Sequence, residues 1–285
     1  MNAVRWDERP RLRRPIMIAA FEGWNDAADG ASTAARYLAA AWGARPFGAI
    51  DPEEFYDFTV TRPQVRLVDG VTRRIDWPEC RLSAASMPGK PHDVVFLHAA
   101  EPQLRWRTFA ATVVGVAKAL DVELALTLGA LLAEVPHTHP VKVTGTAANP
   151  QLVARLGLRR SRYEGPTGIV GVLHEALGRA GIPSASLWAT VPHYVSGTPS
   201  PKATLALIER ATSLLGARVD TVDLEIAASA YERQVSEVVA DDDDMAAYVR
   251  RLEAEEDEED EEQEMPSRDE LAEEVERFLR EQPPG

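Results

Sequence analysis

Ile16-Met17-Ile18-Ala19-Ala20-Phe21, followed at once by Glu22-Gly23-Trp24-Asn25-Asp26, is the stretch that decides how this chain reads. The apolar run is short and is bounded by turn-formers, as expected of a strand buried on both faces. Three more runs end in a similar burst of turn-formers, aromatics and ionisable groups. Val94-Val95-Phe96-Leu97 leads to His98 and Glu101-Pro102; Val141-Lys142-Val143-Thr144-Gly145-Thr146 leads to Asn149-Pro150; Leu187-Trp188-Ala189-Thr190-Val191 leads to Pro192-His193-Tyr194. If all four runs are parallel strands, the bursts lie together at strand carboxyl ends, where open α/β sheets build their sites.

Helical patterns fill the gaps between these runs. Asn25 or Asp26 caps a first helix over residues 26–42, with Ala27, Ala31, Ala34, Leu38 and Trp42 at helical spacing. Trp106, Phe109, Val113, Val116 and Leu120 mark a second, after the strand at 94–97. A strand over 122–128 follows, and Pro150 opens a short helix after the strand at 141–146. Gly165-Pro166-Thr167-Gly168 opens another helix, with Ile169, Val172, Leu173, Ala176 and Leu177 on one face. Strand 185–191 and helix 203–215 complete a body spanning residues 1–219. Between Phe47 and Ala85 the period changes to two, and Asp69-Gly70 is a hairpin signal between Val65–Val68 and Val71–Ile75. It predicts an antiparallel addition to an otherwise parallel sheet. The fold expected is a three-layer α/β/α sandwich on a mostly parallel, mixed sheet.

The charge is unevenly placed. The net charge is -14, but of 45 acidic and 31 basic residues, 25 acidic and 6 basic ones lie from Asp220 onward. An acidic extension, 220–285, is therefore fused to a mildly basic body. Leu224, Ala228, Tyr231, Val235 and Val238 form a packing seam in it, and Asp241–Asp244 cap a second helix bearing Met245, Tyr248 and Leu252. Glu253–Glu264 is too charged to build a core and reads as a solvated helix or disordered linker. Ser267 and Glu270 form a capping box ahead of Leu271, Val275 and Phe278. Basic residues form no stripe for nucleic acid, no apolar stretch suffices for a membrane span, and no secretory leader is legible. The single Cys80 suits a reducing compartment, so a cytoplasmic protein is expected. Of the 31 basic residues only four are lysines, a bias that, with abundant alanine, fits a GC-rich bacterial genome.

Candidate chemistry concentrates in the bursts. Glu22, Trp24, Asn25 and Asp26 deliver carboxylates, an amide and an indole to a helix start, which can bind a polar ligand or simply cap and cover the helix. The Gly165–Gly168 turn, with Thr167, lacks the lysine of a phosphate loop and reads as a tight turn that permits close backbone approach. His137, His139 and His193 lie in proline-braced loops; without a third ligand of clear spacing they brace those loops, and no metal or cofactor is implied. Glu101 with Arg105 and Arg107 supplies an acid and two bases to the same rim, or a surface helix start. No nucleophile elbow and no dinucleotide fingerprint is present. Glu22, Trp24, Asn25, Glu101, His193 and Tyr194 are expected to converge around one ligand-binding cleft.

Taken together, these motifs carry a resemblance. Gly23-Trp24-Asn25-Asp26-Ala27, Asp51 with Phe55-Tyr56-Asp57, Arg62-Pro63, Trp77-Pro78 and Glu101-Pro102 with Trp106 are part of it. Pro136-His137-Thr138, Tyr163–Ile169, Trp188, Pro192-His193-Tyr194-Val195 and Pro201-Lys202-Ala203 complete it. Over residues 16–215 the chain resembles the proteasome assembly chaperone 2 family, in its actinobacterial branch. The resemblance implies the same three-layer fold, related to nucleoside phosphorylases and peptidyl hydrolases, and homo-oligomers, with trimers favoured. Some relatives dock on proteasomes through a C-terminal hydrophobic-Tyr-any motif; this sequence ends Glu281-Gln282-Pro283-Pro284-Gly285, and His139 replaces an arginine of the family's loop. Phe55, Tyr56 and Phe58 are candidate oligomer anchors. Two functions follow as expectations: a non-enzymatic, assembly chaperone-like interaction protein with a protein-complex partner, or a small-ligand binder or enzyme using the strand-end cleft.

Overall fold

The structure is a computed structural model, and it describes residues 3–147, 150–158, 164–195 and 197–264. Asn149, Tyr163, the Ser267–Glu270 capping box with its apolar residues, and the C-terminal five residues lie outside them. The strands are β1 (Val4–Trp6), β2 (Ile16–Glu22), β3 (Arg45–Ile50), β4 (Gln64–Val68), β5 (Thr72–Asp76), β6 (Cys80–Ala85), β7 (Val94–Ala100), β8 (Leu124–Ala133), β9 (Val143–Ala147) and β10 (Ser184–Pro192). The helices are α1 (Gly30–Ala41), α2 (Trp106–Ala119), α3 (Pro150–Leu156), α4 (Ile169–Arg179), α5 (Pro201–Leu215), α6 (Val222–Ala240) and α7 (Asp243–Glu264).

Eight strands form one mixed sheet in the order β1-β3-β6-β7-β2-β8-β10-β9. Its centre, β7-β2-β8-β10, is parallel, and both flanks are antiparallel. The strand opened by Ile16 lies in the middle. Its residues alternate between two cores: Ile18 and Ala20 pack with α1 and α5, whereas Met17, Ala19 and Phe21 pack with α2 and α4. Helices therefore cover both faces, as the continuous apolar runs require.

Three details differ from the sequence reading. β9 runs antiparallel to β10, so its carboxyl end does not join those of β2, β7 and β10. The Asp69-Gly70 hairpin forms, with both turn residues at positive φ, but β4 and β5 make a separate two-stranded sheet rather than an addition to the main one. Antiparallel addition is instead made by β1, β3, β6 and β9. Finally, Phe55 and Tyr56 are core residues, 1% and 3% exposed. Phe55 meets Phe109 edge-on at 5.3 Å, and the Tyr56 hydroxyl donates to the Ala100 carbonyl at 2.9 Å. Only Phe58 keeps to the insertion's surface, edge-on to Trp77 at 5.0 Å.

The acidic extension is seated on the body. Helix α6 buries Ala228, Tyr231, Val235 and Val239, so its seam shifts to Val239 and leaves Val238 exposed. Asp242 caps α7 by accepting from the amides of Asp244 and Met245. Val249 and Leu252 are buried, and so is Glu256, whose carboxylate meets Lys142 at 2.9 Å and His139 at 3.3 Å. The start of the Glu253–Glu264 stretch is thus held, because Lys142 and His139 of the body meet its first turns.

Phe55→Ala is expected to cost about 3–5 kcal/mol of stability in urea unfolding, the range for truncating a buried aromatic. A change below about 1 kcal/mol would place Phe55 outside the core. Ending the chain at Ala240 is expected to preserve one cooperative thermal transition followed by circular dichroism, because α7 adds only a small apolar contact, chiefly Val249 and Leu252. Loss of cooperativity would make α7 integral to the body.

Candidate functional site

The site begins where β2 ends. After Glu22 the chain keeps pairing with β8: the Ala130 amide donates to the Asn25 carbonyl at 2.8 Å, and Asp26 forms a parallel bridge with Ala130. This extension pulls Asn25 and Asp26 inside, to 1% and 5% exposure, while Trp24 stays 66% exposed. A turn of 3-10 helix, Ala27–Asp29, then leads into α1. Asp26 caps α1 across that turn, its Oδ1 accepting from the Ala31 and Ser32 amides at 2.7 and 3.0 Å. Burial pushes the Asp26 carboxyl above its ordinary pKa, against the pull of those donors.

Glu101, after β7, is the partner of Asn25. Its Oε1 accepts from Asn25 Nδ2 and from the Ile169 amide that opens α4, both at 2.8 Å. One carboxylate thus joins two strand ends to a helix N-terminus, where a negative charge is favoured. Gly168 makes the approach possible: a Cβ there would lie 2.4 Å from Asn25 Oδ1 and 2.7 Å from Glu101 Oε1. The Gly165–Gly168 stretch is a close-approach turn around the chain's own carboxylate.

These elements border a cavity of about 1390 Å³. Trp24, Asn25, Asp26 and Thr167 line it, with Leu131 and Leu132 from the end of β8. Glu101 lies behind Asn25. Deeper walls come from residues the motif reading did not select as site residues: His174 on α4, Thr146 on β9, and Ser186 and Trp188 on β10. Trp188 lies against Gly129, where a Cβ would come within 2.5 Å of the ring. Its indole N–H donates to Ser186 Oγ at 3.0 Å, and Ser186 pairs with Thr146 at 2.9 Å. A histidine among apolar residues of the α4 pattern was the one signal for His174. It is half-buried between Thr127 Oγ1 at 3.0 Å and Ser184 Oγ at 2.7 Å, and loss of hydration there lowers its pKa to about 4.

The other expected members lie elsewhere. Residues alternate across β2, so the Glu22 side chain points to the α1 face. There it meets Arg36 at 2.6 Å and His98 at 3.4 Å. His193 and Tyr194 do not join the cavity, because β10 runs past the sheet edge into a 3-10 turn covered by α7. Tyr248 meets both rings edge-on, at 5.7 and 6.1 Å. The Tyr194 hydroxyl accepts the His137 amide at 2.8 Å, and burial pushes its pKa up to about 12. The His137 ring meets the same hydroxyl through Nδ1 at 2.9 Å and Ser236 Oγ through Nε2 at 3.0 Å. Arg105 pairs with Glu54 at 2.6 Å and leaves Glu101 to Asn25 and α4. Cys80 is buried, which raises its thiol pKa. Among the described residues, no group of three or more His, Cys, Asp or Glu side chains is placed to hold a metal ion.

A mixed sheet with a parallel centre, helices on both faces and a cavity at the strand ends defines a three-layer α/β protein. The chain belongs to the PAC2 family, whose sequence model matches residues 20–239. Among solved structures it is similar to a PAC2 family protein from Streptomyces avermitilis, with 47% identity, a TM-score of 0.77, and coverage of 82% of this chain and 99% of that one. A proteasome-assembly chaperone homologue of Mycobacterium tuberculosis is 48% identical, with a TM-score of 0.75 and coverage of 82% and 99%. An archaeal proteasome activator from Pyrococcus furiosus shares the fold at 17% identity, with a TM-score of 0.67 over 82% of this chain and 97% of that one. No curated protein matches the chain.

An unfolded histidine titrates near 6.5, whereas His174 does so near 4 in the folded protein. Between these values the unfolded chain binds more protons. The contribution of His174 to stability is therefore complete above about pH 6.5 and is lost as pH falls towards 4, by about 3 kcal/mol. His174→Gln is expected to flatten the dependence of the urea midpoint on pH in that window. An unchanged slope would place the titration elsewhere.

Proposed function

We propose that this chain is a non-enzymatic interaction protein, an assembly chaperone-like factor that works as a homo-oligomer, with a trimer favoured. The observation that carries the reading is the β4–β5 hairpin. It stands apart from the main sheet and exposes Val65, Leu67, Val71 and Ile75 to solvent. Val65 pairs directly with Ile75, and alternation puts Leu67 on the same face. An isolated two-stranded hairpin is marginal in water, so an apolar face of this kind calls for a covering partner. The residues that would argue for catalysis are spent on architecture: Asp26 caps α1, Glu101 opens α4, and Cys80 is buried.

Relatives described as a proteasome-assembly chaperone homologue and a proteasome activator make a proteasome-type complex the natural partner. No helix among the described residues is long and apolar enough to cross a membrane, and a cytoplasmic location accords with a reduced, buried Cys80. The acidic α7 argues against a nucleic-acid partner. A second reading, a small-ligand binder or enzyme at the strand ends, is favoured by one observation: the strand ends border a cavity of about 1390 Å³.

Light scattering at micromolar concentration is expected to give an oligomer, with Leu67→Glu/Ile75→Glu reducing it towards a monomer at unchanged secondary structure. A monomeric parent protein would overturn the oligomer. For the partner, added protein is expected to speed the appearance of full proteasome core particles from separately purified α and β subunits on native gels. Unchanged assembly kinetics would overturn the assembly role.

A further inference from the structure

The apolar face of the β4–β5 hairpin has a definite size and charge. Val65 stands opposite Ile75 and Leu67 opposite Arg73, and directly paired residues share a face. Val65, Leu67 and Ile75 are each more than half exposed. On the other face Arg66 and Arg74 both meet Asp76, at 2.8 and 3.4 Å, whereas Arg73 makes no ion pair among the described residues. Two strands of five residues make the ribbon about 17 Å long, which matches one helix of about three turns.

The sequence beyond the described residues carries a segment of those dimensions. After the Ser267–Glu270 capping box, Leu271, Val275, Phe278 and Leu279 follow at spacings of four, three and one residues, which in a helix share one side. A helix over 268–280 would be about 20 Å long. Six acidic and three basic residues lie in 265–285, a balance that suits a face carrying an unpaired Arg73. Two hairpin faces pressed together would instead bury both Arg73 guanidiniums without an acid, a costly arrangement.

Position in the sheet selects the copy. The hairpin is inserted between β3 and β6, whereas α7 is fastened at Lys142, ahead of β9, and at the end of β10 through Tyr248. Three strands lie between β6 and β10, so about 19 Å of sheet separates the two places. Met265 and Pro266 alone link the end of α7 to the capping box. We propose that residues 267–280 of one copy lie as a helix on the β4–β5 face of the next, with Leu271, Val275 and Phe278 against Val65, Leu67 and Ile75 and an acid beside Arg73. The inference names what covers the hairpin in the oligomer proposed above, and it rests on that reading. A contact from one end of the sheet to the other end in a second copy is head-to-tail, and such contacts close into rings.

Hydrogen–deuterium exchange and light scattering on the full chain test it. The amides of 64–76 are expected to exchange slowly in the parent protein. Leu271→Glu/Phe278→Glu is expected to speed that exchange about tenfold and to lower the mass towards a monomer, at an unchanged circular dichroism spectrum. To identify the copy, chains carrying Leu67→Cys are mixed with chains carrying Val275→Cys and oxidised; the buried Cys80 stays silent. A disulfide joining the two kinds of chain is expected. Its absence, or a hairpin exchange rate and a mass unchanged by Leu271→Glu/Phe278→Glu, would overturn the neighbouring tail as the occupant while leaving the oligomer. A monomeric parent protein would overturn this contact and the oligomer reading together.

Discussion

The Glu101 carboxylate is the tie on which the strand-end architecture depends. It accepts from Asn25, which follows β2, and from the first amide of α4, while its own amide donates to the Glu22 carbonyl at 2.8 Å. Two central strands and a covering helix therefore converge on one side chain. The arrangement costs the desolvation of a carboxylate, offset by two directed donors and by the positive end of a helix. It also dictates composition nearby. Position 168 must lack a Cβ, Asn25 must face inward, and its carbonyl oxygen is left over as a by-product of the tie.

The parallel centre of the sheet was legible because its strands are buried on both faces and read as unbroken apolar runs. Ile16–Phe21 and Val94–Leu97 needed no further information. Direction was not legible for Val143–Ala147: an edge strand and a central strand can share a composition, and antiparallel pairing with β10 is decided by how the chain returns through α3 and α4. The hairpin was announced by Asp69-Gly70, but local turn chemistry says nothing about which sheet a hairpin joins. Phe55 and Tyr56 misled for a related reason. Aromatics in an irregular insertion suggest an interface, yet this insertion folds back onto α2 and β7 and buries them.

The candidate site divides along the same line. Position at a strand end could be read, and it drew attention to Trp24, Asn25, Asp26 and Glu101. Side-chain direction could not. Alternation sends Glu22 to the α1 face, and the exit from β10 carries His193 and Tyr194 towards α7. His174, Ser186 and Trp188 lie within regular elements, where sequence offers little to separate a lining residue from a packed one. The acidic extension shows the converse case: its charge forbids a core of its own, but complementary groups on the body, Lys142 and His139 among them, hold its beginning in place.

Lysine scarcity gives that seating a chemical signature. Of four lysines, Lys202 donates to the carbonyls of His137 and His139 and reaches Glu232 on α6, and Lys142 meets Glu256 on α7. Half of the side-chain amines in the molecule are therefore fastened at the junction between body and extension. Amine-selective acylation becomes a gauge of that junction, since an ammonium held by carboxylates is a poorer nucleophile than one free in water. Lys118, near the end of α2, supplies an internal standard on the same chain. A protein of ordinary lysine content would drown this signal; here the arginine-rich composition leaves it readable.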